Sequence, residues 1–164
     1  MPRVKLTEQP GYEFSHTLHV RVTDLNYGSH LSNDAVVRLI HEARVHLLRR
    51  LGCRELDLGD GQTGFIMGDL VVNFRQEGFL FDEITVQSHI GDITEKSFRL
   101  YHRLCRHGEV LALAETGLVT FNYDTRAIAP VPQEFLQALT AHLQVAAPAQ
   151  EINHGDTENT GKNS

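Results

Sequence analysis

Asp24-Leu25-Asn26-Tyr27-Gly28-Ser29-His30-Leu31-Ser32-Asn33 runs straight into an amphipathic segment that begins at Asp34. One short loop thus gathers a carboxylate, a carboxamide, an imidazole and two backbone-permissive positions at the start of a helix. The first N–H groups of a helix have no intrahelical acceptor, so this is a place where a carbonyl can be polarised and a proton handled. Ser32-Asn33-Asp34 supplies capping oxygens, which predicts a helix from about Asp34 to Leu51. Val36, Leu39, Ile40, Ala43, Leu47 and Leu51 recur at three- and four-residue steps and form one apolar stripe, widened by Val37 and Leu48. Gly52 is placed to end the helix as a left-handed cap.

Upstream, residues 12–22 alternate as a strand, with Phe14, Leu18, Val20 and Val22 expected on one face. Downstream, four strand runs follow: Phe65 to Arg75, ended by the Gln76-Glu77-Gly78 turn; Asp82 to Ile90; Lys96 to Arg106; and Val110 to Tyr123. His107-Gly108-Glu109 reads as a hairpin turn. Pro130 and Pro132 precede a short helix from Gln133 to about Leu143. The order predicts an α+β architecture: an antiparallel five-stranded meander wrapped around a long central helix, one layer of each. Residues 1–145 form the expected domain, and 146–164, small and polar, an expected disordered tail. Five strands leave edges, which a second copy can cover, so a homodimer is expected.

Composition removes several classes of function. A net charge of −6 gives no nucleic-acid footprint. Arg38, Arg44, Arg49 and Arg50 share the long helix, either as a solvated face or to attract an anion. No apolar run reaches the length of a membrane span, the first residues lack a signal peptide's apolar core, and two cysteines make no disulfide framework. A cytoplasmic protein without membrane contact is the reading. No metal or cofactor is expected. His41 and His46 are five apart on the helix, and His16 and His19 point to opposite faces of their strand.

The loop with Asp24, Asn26, His30 and Asn33 resembles the Asp-x-Asp-x-x-x-His-x-x-Asn loop of hotdog-fold thioesterases, the broad group of 4-hydroxybenzoyl-CoA and acyl-CoA thioesterases. His41-Glu42-Ala43-Arg44 resembles the Glu-Ala-Arg segment of that family's central helix. Phe121-Asn122-Tyr123-Asp124 with Ile128-Ala129-Pro130-Val131-Pro132 resembles its last strand and exit. The resemblance implies a hotdog fold, a homodimer or dimer of dimers (a homotetramer), a site at the dimer interface, and hydrolysis of an acyl-CoA to free acid and coenzyme A. Carried over by position, His30 orients substrate or water, and Tyr27, Gly28 and Ser29 line the carbonyl.

One departure matters. The second aspartate of the motif is Asn26 here, and an amide is neither a base near neutral pH nor a good nucleophile. The expected carboxylate moves to Glu42 on the helix, with Asn26 and His30 stabilising the oxyanion. Asp24 is the weaker alternative, suited to tying the loop by backbone hydrogen bonds. Each residue also has a plainer reading: Glu42 a surface partner of Arg38 or Arg49, His30 a loop histidine, Asn26 a turn residue at positive φ. Asp69 lies either on the solvent face or in the site. Lys96 and Ser97, with Arg99 and Arg103, could meet the phosphates of coenzyme A or be exposed strand residues. The alternative function is a non-catalytic acyl-CoA-binding hotdog protein, motivated by Asn26.

Overall fold

Phe14–His19 forms strand β1, and a single 3-10 turn at Val22–Asp24 follows it. The long helix α1 spans Asn33–Arg50. Strands β2 (Thr63–Phe74), β3 (Glu83–Gly91), β4 (Ser97–Arg106) and β5 (Glu109–Asn122) come next. The two-residue β6 (Ala127–Ile128) and helix α2 (Gln133–Ala146) complete the order. This computed structural model describes residues 4–146. The expected tail therefore lies outside the described residues, except Ala146, which closes α2.

The helix forms where capping and stripe both require it. Ser32 is the N-cap, and its hydroxyl accepts the Ala35 N–H. Beyond Arg50 the chain exits through Gly52 at φ 71°, a conformation that costs glycine little. Val36, Leu39, Ile40, Ala43 and Leu47 are all buried. The first four pack with Leu18, Val20, Ile84, Val86 and Leu104 from β1, β3 and β4 and the segment after β1. A second part of the core joins Leu47 and Leu48 at the end of α1 to Phe14, Phe65, Phe98 and Phe135, so α2 and the last turn of α1 cover the other end of the sheet together.

Antiparallel pairing gives the order β1-β3-β4-β5-β2, with β6 beside β5. Strands β3 to β5 are the expected meander, but β2 is not part of it. It pairs with β5 from Thr63↔Asn122 to Phe74↔Ala112, at the edge opposite β1. The link from β2 to β3 must therefore cross the end of the sheet. On the way, Gly78 accepts the Leu31 N–H and Phe79 pairs with His30. Val22 also departs from expectation. It leaves the strand for the 3-10 turn and is 68% exposed, while Phe14, Leu18 and Val20 are buried. His107 and Gly108 both have positive φ, as a two-residue type I′ hairpin turn requires.

One buried group makes stability depend on pH. His102 on β4 is wholly buried, and Ser88 Oγ lies 2.8 Å from its Nδ1. Burial, aided by the charge of Arg44, pushes its pKa down to about 3. The unfolded chain takes up a proton below its ordinary value near 6.5 that the folded chain refuses, so stability falls as pH drops through that window. Between pH 7 and pH 5 this one group costs about 2 kcal/mol. Urea unfolding at the two pH values should show that loss in wild type and not in His102→Gln. An equal loss in both would place the acid sensitivity elsewhere.

Candidate active site

The loop is shaped mostly by its own polar groups. Asn26 Oδ1 accepts the Gly28 N–H at 2.8 Å, and the Asn26 carbonyl accepts the Ser29 N–H. Asn26 N–H in turn donates to the His30 carbonyl at 3.0 Å. The turn closes with Ser29 at φ 64°, so the left-handed position is Ser29 and not Asn26. Asn26 Nδ2 lies 3.3 Å from His30 Nδ1, which sets the ring. A Cβ on Gly28 would sit 2.9 Å from His30 Nε2 and 3.2 Å from Asn26 Oδ1, so only glycine lets these two side chains close on each other. Tyr27 stands fully exposed at the tip. Asp24 is buried, accepts the Arg21 N–H at 2.9 Å and lies 3.5 Å from Arg38.

A cleft of about 240 Å³ opens beside this loop. His30, Asn33 and Val36 form one wall, Phe74 and Arg75 from the end of β2 a second, and Gln76, Glu77 and Gly78 of the crossing link a third. Glu77 brings a carboxylate to the imidazole, with its Oε1 3.7 Å from His30 Nε2. Sequence reading missed this residue, because Gln76-Glu77-Gly78 looked like an ordinary turn ending a strand. Only the crossing of the sheet end carries it to the loop. An imidazole, a carboxylate and the start of α1 around one cleft are equipped to activate a water and to hold a developing oxyanion.

Glu42 is placed differently. It is nine residues beyond Asn33, about 180° round α1 and about 14 Å along it. Its carboxylate lies 3.3 Å from His16 Nε2 and 3.5 Å from Arg21 Nη2. The partner is neither Arg38 nor Arg49: Arg38 pairs with Asp34 and Asp24, both nearer the N-terminus of α1. Nor is Arg44 a solvated cation. Its side chain is 11% exposed, pairs with Glu55 at 2.7 Å and lies 5.6 Å over the Phe65 ring.

Lys96 and Ser97 sit at the start of β4, opposite Val119 of β5. Val119 is eight residues along β5 from Leu111, which lines the cleft, so the two lie about 26 Å apart within one chain. Lys96 is exposed, and Ser97 Oγ lies 2.7 Å from Thr94 Oγ1. Arg99 binds Asp69 and Glu115, and Arg103 binds Glu8. Asp69 is exposed, and its bond to Arg99 holds its carboxyl below the usual range.

Comparison with solved structures supports the architecture. A 1,4-dihydroxy-2-naphthoyl-CoA thioesterase from Synechocystis is 17% identical, with a TM-score of 0.70 over 87% of this chain and 98% of that one. A gentisyl-coenzyme A thioesterase is 23% identical, with a TM-score of 0.67 over 76% and 98%. A Staphylococcus aureus protein solved in complex with CoA is 16% identical, with a TM-score of 0.73 over 90% and 95%. No curated relative matches the chain by sequence. No helix among the described residues is long and apolar enough to cross a membrane. A model of the thioesterase-like superfamily matches residues 20–139, from just after β1 through the loop, α1 and strands β2 to β6 into α2. With that match spanning most of the chain, and the antiparallel sheet packed on a long helix beneath it, the protein belongs to the thioesterase-like superfamily and has the hotdog fold.

Proposed function

We propose that this protein hydrolyses an acyl-CoA thioester in the cleft between the 26–33 loop and the crossing link. The observation that carries the reading is the convergence of His30, Glu77 and the start of α1 on one cleft. Water attacks the thioester carbonyl carbon while the His30–Glu77 pair removes its proton. The first N–H groups of α1 and the Asn26 amide meet the carbonyl oxygen as it gains charge. Collapse of the tetrahedral intermediate breaks the C–S bond and releases the acid and the coenzyme A thiolate. The two free thiols, Cys53 and Cys105, suit the reducing cytoplasm.

A second copy completes the site. The cleft is small beside the roughly 300–1,000 Å³ of ordinary ligand pockets, so one chain supplies only part of it. Strand β2 is an edge, and Ile66 and Met67 are 41% and 54% exposed on its two faces. Antiparallel pairing of two β2 strands covers them. The same two-fold turns the Lys96–Ser97 end of one sheet toward the cleft end of the other. Lys96 and Ser97 of the partner subunit then approach coenzyme A, which a single chain holds too far away.

The test is thiol release from a panel of short, medium, long and aromatic acyl-CoAs, with the particle mass read by sedimentation. Turnover by a species of two or four chains is the expected result. A protein that binds the panel without turnover would instead be the acyl-CoA-binding protein that Asn26 suggests, and a fully active monomer would remove the interface from the mechanism.

A further inference from the structure

On the flank of α1 away from the cleft, strand and helix bring together three groups that stand far apart in sequence. Glu42 and His46 are four residues apart on the helix and share one face. His16 lies on β1 between the buried Phe14 and Leu18, on the face turned toward α1. Its Nε2 is 3.3 Å from Glu42 Oε1, and its ring lies on that of His46 with centroids 3.8 Å apart. One donor atom from each of the three residues falls within 4.8 Å of the others. No other such group of three occurs among the described residues. Spacing within a single element, such as that of His41 and His46 on the helix, cannot reveal a donor set built across a strand and a helix.

We propose that His16, Glu42 and His46 form a binding site for a divalent transition-metal ion of the zinc class. Two imidazoles and one carboxylate are a nitrogen–oxygen donor set suited to such an ion, with a position left for water. Bonds of roughly 2.1 Å bring tetrahedral ligands to about 3.4 Å from one another, so the donors need to close by an ångström or so. The ring stack has to open as they do, because nearly parallel rings cannot aim their lone pairs at one point. His46, on the helix surface, supplies that movement. Arg21 Nη2, 3.5 Å from Glu42 Oε2, holds the other carboxylate oxygen and leaves Oε1 to the ion. Its positive charge works against a cation, but the side chain is 65% exposed and well solvated. The bound ion ties β1 to α1. These elements flank the segment that carries Asn26 and His30, so the ion clamps the loop from outside the cleft.

The test uses the full chain freed of metal by chelation, titrated calorimetrically with zinc and followed by visible absorption with cobalt(II). Wild type should take up one ion per chain, show the cobalt absorption of a low-coordinate nitrogen–oxygen site, and melt at a higher temperature with zinc. His46→Ala should bind at least about tenfold more weakly and lose the zinc-dependent rise in melting temperature, while its melting without metal stays near that of wild type. Glu42→Gln provides a second variant that keeps the side-chain shape. His41→Ala removes a histidine of the same helix that pairs with Glu55 instead, and should bind as wild type does. Failure of wild type to saturate with zinc, or equal affinity in wild type and both ligand variants, would overturn the site.

Discussion

Replacing His30 by alanine should lower kcat/KM for the proposed acyl-CoA hydrolysis by about 10²- to 10⁴-fold, the usual loss when a positioned acid–base group is removed. That range corresponds to about 3–5 kcal/mol of transition-state stabilisation. Glu77→Gln falls in the lower part of it, because the glutamine keeps a polar contact with the ring and loses only the charge and basicity. Glu42→Gln, assayed without metal, should stay within a few-fold of wild type, since its carboxylate faces His16 and Arg21 on the far flank of α1. Steady-state thiol release with one good substrate separates these outcomes. If Glu42→Gln abolishes turnover and Glu77→Gln does not, the helix supplies the carboxylate and the assignment of the cleft fails. Asn26→Asp adds a further reading. The Asn26 amide bridges Gly28 N–H and His30 Nδ1, so a carboxylate there keeps the first bond while changing what the imidazole meets.

The second large effect is on stability. Phe98→Ala costs about 3–5 kcal/mol, the range for truncating a fully buried aromatic, against a total for folded domains of roughly 5–15 kcal/mol. Phe98 is 0% exposed and joins three elements. Its ring meets Phe65 of β2 edge-on at 5.9 Å and Phe135 of α2 at 5.0 Å. Truncation therefore opens a cavity where β4, β2 and α2 meet, and no neighbour can fill it without dragging a strand or helix. Urea denaturation should show the midpoint falling with little change in slope. Phe98→Leu recovers most of the loss. A Phe98→Ala protein within about 1 kcal/mol of wild type would mean that this corner of the core can collapse around the gap.

Local sequence was enough wherever local physics decided the outcome. The stripe from Val36 to Leu47, the Ser32 cap and the Gly52 exit specified α1 to within a residue, because capping and side-chain burial act over one or two turns. Alternation gave β3, β4 and β5 nearly to their ends, and the loop residues identified the family. The sequence could not place β2. Its residues alternate much as those of the other strands do, and nothing in them says which neighbour they will pair with.

That single placement separates the site expected from sequence from the proposed one. Once β2 lies beside β5, the return to β3 must cross the sheet end, which carries Glu77 to His30. The helical period fixes Glu42 on the opposite flank, where a strand residue 26 positions earlier meets it. Helix, strands and loop chemistry were thus determined by the sequence alone, since each rests on neighbours a few residues away. Which carboxylate faces the imidazole, and which histidines face each other, only the tertiary structure decided. Those pairings join groups far apart in the chain, and only strand order and helix phase bring them together.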